Sequence, residues 1–232
     1  MADRVVLWDL DHTLLATQGV GRDCFADAFE QVTGRPLENP AEVTGKSEAV
    51  IFRETLAAHG LPRDAWPFEE YAEALAAAYL RRAGELRARG HALPGAAAAL
   101  DALAQLADTV QVPATGNARR VAEIKVATFG LDQHLDLTRG AYGEDADDRP
   151  DMVRVALQRA EAPAAAAILF GDTPADVTAG RDVGVFTVGV ATGRTPATEL
   201  EDAGADVVLA DLTDTERVVA LTRDLAASRT GS

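Results

Sequence analysis

Apolar and polar positions divide the chain into a short N-terminal strand, a long helical stretch and a run of alternating helices and strands. The first strand is predicted at Arg4–Trp8, where neighbouring positions are not alternately polar, which indicates a strand covered on both faces. From about residue 19 to residue 90 the apolar residues recur at helical spacing, which predicts three helices. The last is predicted to run from about Phe68 to Arg89, because its Ala, Leu, Glu and Arg residues favour helices.

After residue 94 the pattern changes to alternating helices and strands. The predicted helices span residues 95–107, 118–129, 150–162, 174–183 and 196–203, and a last helix ends near residue 226 before a tail that is predicted to be frayed. The predicted strands span residues 109–114, 135–138, 166–170, 185–190 and 207–209. Repeated βα units imply a mostly parallel sheet covered by helices. The predicted fold class is therefore α/β, with a Rossmann-like, doubly wound core of residues 1–16 and 92–232 and an α-helical cap inserted as residues 17–91.

Composition and charge are those of a folded, acidic protein. The chain has 232 residues, of which 47% are hydrophobic and 25% are charged, which is typical of soluble globular proteins. Lys and Arg number 22 and Asp and Glu 37, so the formal net charge is −15. Such a surface repels nucleic acid and anionic membranes, and neither is predicted as a partner. An anionic substrate would need a metal ion or a local basic pocket to reverse this field.

The sequence also favours a cytoplasmic protein. The single cysteine, Cys24, allows no internal disulfide, which suits a reducing compartment, and its apolar helical surroundings predict a packed thiol. No signal-type apolar run is present at the N-terminus, and no stretch approaches the roughly 20 apolar residues that span a bilayer. We expect a monomer or a homodimer.

Polar residues follow the predicted strands at their carboxyl ends, which is where a doubly wound sheet binds its ligands. Two acids, Asp9 and Asp11, and then Thr13 follow the first strand in the stretch VVLWDLDHTLL. The other members of this set follow later strands or begin a helix: Thr115, Gly116, Asn117, Arg149, Asp172 and Asp176.

The residue types in this set suit phosphoryl transfer. Asp9, Asp11 and Asp172 would repel one another without a cation, and hard oxygen ligands suit Mg²⁺. With the metal in place, one carboxylate can attack phosphorus, and a second can protonate the leaving oxygen and later take a proton from water. Thr115 and nearby backbone N–H groups can bind phosphoryl oxygens, and Arg149 can stabilise the charge of the transition state.

The motifs DLDHTL, PATGN, RPD and GDTPAD, in this order, resemble those of the haloacid dehalogenase superfamily, and in particular its capped, phosphoglycolate phosphatase-like members. The resemblance covers nearly the whole chain and implies that Asp9 is the nucleophile that forms an aspartyl-phosphate. It implies that Asp11 is the general acid and base and that its backbone carbonyl binds Mg²⁺. It also implies that Thr115 binds the phosphoryl group, that Asp172 binds the metal together with Asp9 and Asp11, and that Asp176 supports this ligation. The other candidate substrate-binding residues are Thr13, Gly116 and Asn117.

The sequence departs from the family pattern at two positions. His12 stands where glycine is usual after the second aspartate, and Arg149 stands where the third motif usually has lysine. Arginine keeps the charge but not the geometry of lysine. A surface ion pair of Arg149 with Asp147 or Asp148 is the alternative to a catalytic role. Lys125 lies in the middle of a predicted helix and is expected to be an ordinary surface lysine.

Three further residues have alternative interpretations. Asp176 suits the first turn of a helix as well as a metal site, and Thr115 suits a helix N-cap as well as phosphate binding. Lys46, in the loop TGKS before a predicted helix, could contact a second anionic group of the substrate or lie in solvent.

The predicted function is Mg²⁺-dependent hydrolysis of a small, phosphoglycolate-like phosphomonoester. A phosphotransferase such as a sugar phosphomutase is the main alternative, although similar mutases commonly have Gly-Val where this chain has His12-Thr13. A dehalogenase is disfavoured, because similar dehalogenases lack the aspartate that stands here as Asp11. A binding protein without catalysis on the same fold is the remaining alternative, and the substrate itself is not determined by these motifs.

Overall fold

The computed structural model describes residues 4–226, so the tail that is predicted to be frayed, residues 228–232, lies outside the described residues. The strands of this part are β1 (Arg4–Trp8), β2 (Leu15–Ala16), β3 (His91–Ala92), β4 (Thr109–Pro113), β5 (Ala167–Gly171), β6 (Phe186–Val190) and β7 (Val207–Leu209). Its α-helices are α1 (Val20–Thr33), α2 (Glu48–Ala58), α3 (Phe68–Arg81), α4 (Ala83–Arg89), α5 (Ala96–Ala104), α6 (Arg119–Thr128), α7 (Arg149–Ala160), α8 (Pro174–Val183), α9 (Ala197–Asp202) and α10 (Thr215–Arg223).

Five of the strands form a parallel sheet in the order β4-β1-β5-β6-β7. Strand β1 lies inside this sheet, between β4 and β5, so both of its edges are paired. Numbered along the chain, the sheet has the order 2-1-3-4-5, in which the strand order reverses between β1 and β5. The predicted α/β fold is therefore confirmed. A ligand site is expected at the carboxyl ends of β1 and β5, where the strand order reverses.

Alternate residues of β1 enter two different cores, which explains its continuous apolar sequence. Val6 and Trp8 pack on one face with residues of α5, α6 and α10, and the Trp8 ring stacks on Phe170 at 4.5 Å between centroids. Val5 and Leu7 pack on the other face with residues of α7 and α8. Because helices cover both faces, every side chain of β1 after its first residue is buried.

The prediction of a strand at residues 135–138 is wrong. A 3₁₀ turn at Asp132–His134 precedes this segment, and the Asp136 carboxylate accepts hydrogen bonds from the Thr138 N–H and hydroxyl at 3.0 and 2.6 Å. Leu135 and Leu137 are apolar because they pack against the core as a loop, not because they belong to the sheet. An isolated bridge between Ala114 and Ala141 takes the place of the expected strand.

Helices α1 to α4 lie between β2 and β3, which pair with each other as a short antiparallel ribbon. The single helix predicted from Phe68 to Arg89 is broken at Arg82, whose guanidinium binds Asp27 of α1 at 2.7 and 3.1 Å. Helices α1 to α3 share a core that includes Cys24, which is fully buried as predicted, and Val121 of α6. This helical segment therefore packs directly on the α/β core. None of the described helices is sufficiently long and apolar to span a membrane.

Candidate active site

The strand ends bring three carboxylates together at the point where the strand order reverses. Asp9 follows β1, Asp172 follows β5, and Asp176 lies in the first turn of α8. All three are buried, and one carboxylate oxygen from each lies within 4.8 Å of the other two. Of the predicted set of Asp9, Asp11, Asp172 and Asp176, the structure therefore groups three carboxylates, and the carboxylate of Asp11 lies outside this group.

Arg149 joins this group rather than the surface. Its Nη2 donates to Oδ1 of Asp9 at 2.5 Å, and its Nε donates to Oδ1 of Asp176 at 2.6 Å. The Arg149 side chain is only 9% exposed, and within residues 4–226 it forms no ion pair with Asp147 or Asp148. Asp148 instead accepts a hydrogen bond at the N-terminus of α7. The surface ion pair considered from the sequence is therefore wrong, and Arg149 is part of the carboxylate cluster.

Asp176 lies in the first turn of α8, as one of its two interpretations predicted, and it also belongs to the carboxylate cluster. Its Oδ2 accepts hydrogen bonds from the N–H and the hydroxyl of Thr173, at 3.1 and 2.6 Å, and forms a capping box at the start of α8. Its Oδ1 binds Arg149. Both oxygens are engaged by protein donors, so Asp176 orients its neighbours within the cluster.

The electrostatics of the cluster favour an added cation. Burial raises the pKa of Asp9 to about 7, and the nearby Asp176 and Asp11 act in the same direction while Arg149 opposes them. Burial, with the carboxylates of Asp9 and Asp176, raises the pKa of Asp172 to about 9. For Asp9 and Asp172, the cations of the protein do not fully neutralise the negative charge of the neighbouring carboxylates. A divalent cation would stabilise the ionised form of both.

Asp11 lies beside the cluster in a separate ion pair. Its Oδ2 accepts hydrogen bonds from Nζ of Lys125 at 2.7 Å and from Nδ2 of Asn117 at 2.8 Å. Although burial acts to raise it, the pKa of Asp11 is lowered overall by the charge and hydrogen bond of Lys125 and by the hydrogen bond of Asn117. The Asp11 side chain is one-third exposed, so it remains accessible from the adjoining cavity.

The expectation of a surface position for Lys125 is wrong. The residue is only 3% exposed, and the charge of Asp11 helps to raise the pKa of its ammonium group although burial opposes this. The sequence contains a signal for its burial. Ala118, Val121, Ala122 and Lys125 recur at helical spacing and all are buried, so the lysine lies on the packed face of α6.

Thr115 and Thr13 supply buried hydroxyl groups at the same edge of the sheet. The Thr115 Oγ1 accepts a hydrogen bond from Nδ2 of Asn117 at 2.7 Å, and within the described residues its own hydrogen has no protein acceptor. The Thr13 hydroxyl donates to Oδ2 of Asp9 at 3.4 Å. Helix α6 begins at Arg119, so Thr115 is not its N-cap residue, and its hydroxyl is available to a ligand.

The turn at Gly116 is in direct contact with the helical segment. A Cβ atom at Gly116 would lie 2.5 Å from the carbonyl oxygen of Lys46, so only glycine permits this approach. The N–H of Glu48 donates to the Gly116 carbonyl at 2.7 Å, and the Glu48 carboxylate accepts from the Ala118 N–H at 2.7 Å. The start of α2 is thus hydrogen bonded to both sides of this turn.

His12 adopts the left-handed backbone conformation, with φ at 65°. This conformation explains why glycine is usual at this position in the family that the motifs resemble. The His12 N–H donates to the Leu15 carbonyl at 2.7 Å, and its carbonyl accepts from the Thr192 hydroxyl at 2.5 Å, which holds the strained turn in place. The ring itself is exposed and lines the cavity beside Asp11.

A cavity of about 430 Å³ adjoins the carboxylates and extends between the core and the helical segment. Its walls include Phe25, Leu37 and Ile51 as well as Lys46, whose Nζ binds Glu54 at 2.6 Å. Lys46 therefore lies at the cavity, but its charge is already paired with a neighbour in α2. This volume suits a small organic molecule.

A family model for haloacid dehalogenase-like hydrolases matches residues 4–184, which is more than half of the chain. A search of curated proteins found no match.

Three solved structures illustrate the similarity of fold. A hydrolase from Pseudomonas syringae is 24% identical, with a TM-score of 0.69 over 94% of this chain and 98% of that one. A mutant of CbbY from Rhodobacter sphaeroides in complex with xylulose-(1,5)bisphosphate is 18% identical, with a TM-score of 0.67 and coverage of 92% and 96%. A haloacid dehalogenase-like family hydrolase from Streptococcus pneumoniae is 17% identical, with a TM-score of 0.62 and coverage of 95% and 99%.

Proposed function

The chain belongs to the haloacid dehalogenase-like hydrolases, and on this premise we propose that it is a Mg²⁺-dependent phosphatase of small phosphomonoesters. The observation that carries the proposal is the pair of acids after β1. Asp9 lies in the buried carboxylate cluster, and Asp11 lies next to it with one-third of its side chain exposed. This arrangement supplies a nucleophile and a separate acid and base, which are the two groups that ester hydrolysis through a phosphoenzyme requires.

The residues at this sheet edge fit a divalent metal ion. Within the described residues, Arg149 is the one cation that contacts the cluster of Asp9, Asp172 and Asp176, and it binds only Asp9 and Asp176. The ionised forms of the three carboxylates therefore leave two negative charges in excess. The Asp172 carboxylate accepts no hydrogen bond from another side chain in this part of the chain, so its oxygens are available to a metal. Asp9, Asp172 and the Asp11 carbonyl would hold Mg²⁺, and Asp176 would support them. When bound, Mg²⁺ neutralises the carboxylates and polarises the phosphoryl group.

In the first step, a carboxylate oxygen of Asp9 attacks phosphorus. A P–O bond forms to Asp9, the P–O bond to the leaving group breaks, and Asp11 gives its proton to the leaving oxygen. Arg149 holds the Asp9 carboxylate in place, with 2.5 Å between Nη2 and Oδ1, and stabilises the negative charge that develops. The Thr115 hydroxyl and the backbone N–H groups near Gly116 and Asn117 bind the phosphoryl oxygens.

In the second step, water attacks the phosphorus of the aspartyl-phosphate. Asp11 accepts a proton from this water, the bond between phosphorus and Asp9 breaks, and inorganic phosphate is released. Asp11 enters this step ionised because it gave up its proton in the first step, and its contacts with Lys125 and Asn117 favour that ionised form. Asp11 takes up in the second step the proton that it gave in the first, so the cycle balances.

The helical segment, α1 to α4, would serve as a cap over this chemistry. The proposal is supported by the cavity of about 430 Å³ between the segment and the carboxylates, and by the contact of Glu48 with the Gly116 turn. The structure of CbbY, which has the same fold, contains xylulose-(1,5)bisphosphate, which is itself a small phosphorylated metabolite. The substrate class proposed is thus a small phosphorylated metabolite.

The direct test is phosphate release from p-nitrophenyl phosphate in the presence of Mg²⁺. Asp9→Asn should abolish turnover, while Asp64→Asn, at an exposed position of the helical segment, should not change it. Activity that survives Asp9→Asn would overturn the assignment of the nucleophile. A panel of phosphorylated metabolites ranked by kcat/KM would then define the substrate. Interconversion of hexose phosphates without phosphate release would instead support the phosphotransferase alternative.

A further inference from the structure

We propose that Lys125, acting with Asn117, is a positioning residue that immobilises one oxygen of Asp11 and leaves the other for proton transfer. The inference rests on the proposed function, because it concerns the residue assigned as acid and base. Lys125 lies in α6, and no motif of the sequence assigned it a role.

Both donors converge on the same atom of Asp11. Lys125 Nζ lies 2.7 Å from Oδ2 and Asn117 Nδ2 lies 2.8 Å from it, whereas no hydrogen bond to Oδ1 occurs within residues 4–226. A carboxyl proton on Oδ2 would meet the hydrogens of an ammonium and an amide group. The proton of the neutral acid therefore belongs on Oδ1, and Oδ1 is the atom that exchanges it with the leaving group.

Lys125 also determines which way the Asn117 amide points. An ammonium group has only donors, so its contact with Asn117 must be to the carbonyl oxygen, Oδ1. The amide nitrogen then faces Asp11 and Thr115, where it donates to both oxygens at 2.8 and 2.7 Å. One buried cation thus orients two side chains of the site at once.

The helical segment holds this cation in place. The Lys125 ammonium lies 5.3 Å from the centroid of the Tyr79 ring of α3, and the charge of Glu48 of α2 also acts on it. With the lysine only 3% exposed, water does not compete for its hydrogen bonds. Its orientation of Asp11 therefore depends on α2 and α3 being packed against α6.

A comparison of leaving groups separates a positioning role from a merely structural one. p-Nitrophenolate is a stable anion near neutral pH and leaves without a proton, whereas phenoxide, like tyrosine with a pKa of about 10, needs one. The quantity to compare is kcat/KM, which reports the steps up to formation of the phosphoenzyme. Lys125→Met should lower kcat/KM for phenyl phosphate about 100-fold and that for p-nitrophenyl phosphate less than about 5-fold.

Matched variants complete the test. Asp11→Asn should show the same dependence on the leaving group, and adding Lys125→Met to it should lower kcat/KM no further. Arg120→Met, at an exposed position of the same helix, is the control and should behave as wild type. Thermal melting identifies a variant that fails to fold. If Lys125→Met fails to fold, the two esters are compared with Asn117→Ala, which removes the other donor to Oδ2 of Asp11.

Equal losses of kcat/KM for the two esters would overturn the positioning role, and so would a multiplicative loss in the double variant. These outcomes leave the phosphatase itself intact. A wild-type chain that hydrolyses neither ester would overturn the proposed function and the positioning role together.

Discussion

The guanidinium of Arg149 donates to Asp9 through Nη2 at 2.5 Å while its Nε binds Asp176, so one side chain spans two buried carboxylates. A lysine at this position would offer one nitrogen in place of two, so it could not reproduce the separate Nη2 and Nε contacts in this geometry. Arg149→Lys should therefore lower kcat/KM by about 100-fold or more, because the nucleophile loses its fixed orientation. Steady-state kinetics with p-nitrophenyl phosphate measure this.

The matched control is Arg154→Lys, which changes an exposed arginine in the same helix that pairs with Asp151. It should retain wild-type kinetics and melting temperature. If Arg149→Lys retained activity within about threefold of wild type, the simultaneous contact of Arg149 with Asp9 and Asp176 would not matter for catalysis.

Gly193 lies against the proposed metal ligand Asp172. A Cβ atom at Gly193 would lie 1.8 Å from Oδ2 of Asp172, so Gly193→Ala must displace that carboxylate. We expect the Mg²⁺ concentration for half-maximal activity to rise about 10- to 100-fold, as for other changes that misplace a metal ligand. Gly84→Ala, in α4 with open space around the added methyl group, should leave the Mg²⁺ dependence unchanged. An unchanged Mg²⁺ requirement in Gly193→Ala would remove Asp172 from the metal site.

Glu48 should make stability depend on pH. Burial raises its pKa from 4.5 to about 7 in the folded chain, so between these values the folded state holds more protons than the unfolded state. Stability therefore falls as pH rises through this window. Glu48→Gln keeps an acceptor for the Ala118 N–H and removes the charge, so it should be more stable than wild type at pH 8 by on the order of 1–3 kcal/mol, and by much less at pH 4.5.

Denaturant unfolding of both proteins at the two pH values measures this difference, with Glu42→Gln, at an exposed position, as the control. A stability difference that is equal at pH 4.5 and pH 8 would show that the Glu48 carboxylate is not protonated by burial.

Cys24 should be inert in the folded protein. It is fully buried, and burial raises the pKa of its thiol to about 12. A disulfide reagent at pH 8 should therefore modify the native chain at least about 100-fold more slowly than the chain in guanidinium, where its one cysteine per chain should react completely. Rapid modification of the native protein would indicate that helices α1 and α3 separate readily.

The alternation of helices and strands was sufficient to predict the fold, because each βα unit carries its own local pattern. Residues 135–138 were misassigned because a loop that packs on the core has the same apolar residues as a short strand. The break at Arg82 had no local signal either, since it depends on an ion pair with Asp27, 55 positions away.

The carboxylates and Thr115 could be placed at one edge because parallel strands all end there. Lys125 lies on the apolar face of α6, but a charged residue in a helix is ordinarily exposed, so the sequence analysis predicted a surface position. The partner that compensates its buried charge, Asp11, is 114 positions away. For Arg149 the sequence supplied a local partner, Asp147 or Asp148, whereas the actual partner Asp9 is 140 positions away. Sequence patterns therefore predict which residues lie at this edge of the sheet, whereas contacts between distant positions determine their burial and their ion pairs.

The position of β1 between β4 and β5 also governs how the molecule folds. Asp9 and Asp172 come together only after β1 has paired with residues 167–170, which closes a loop that includes the helical segment and much of the core. The carboxylates repel one another, so their approach must be driven by the apolar strands behind them, and we expect it to be completed late. A divalent cation that binds the completed cluster binds the native chain and not the unfolded one. It would therefore raise the free energy of unfolding and hold β1 and β5 together.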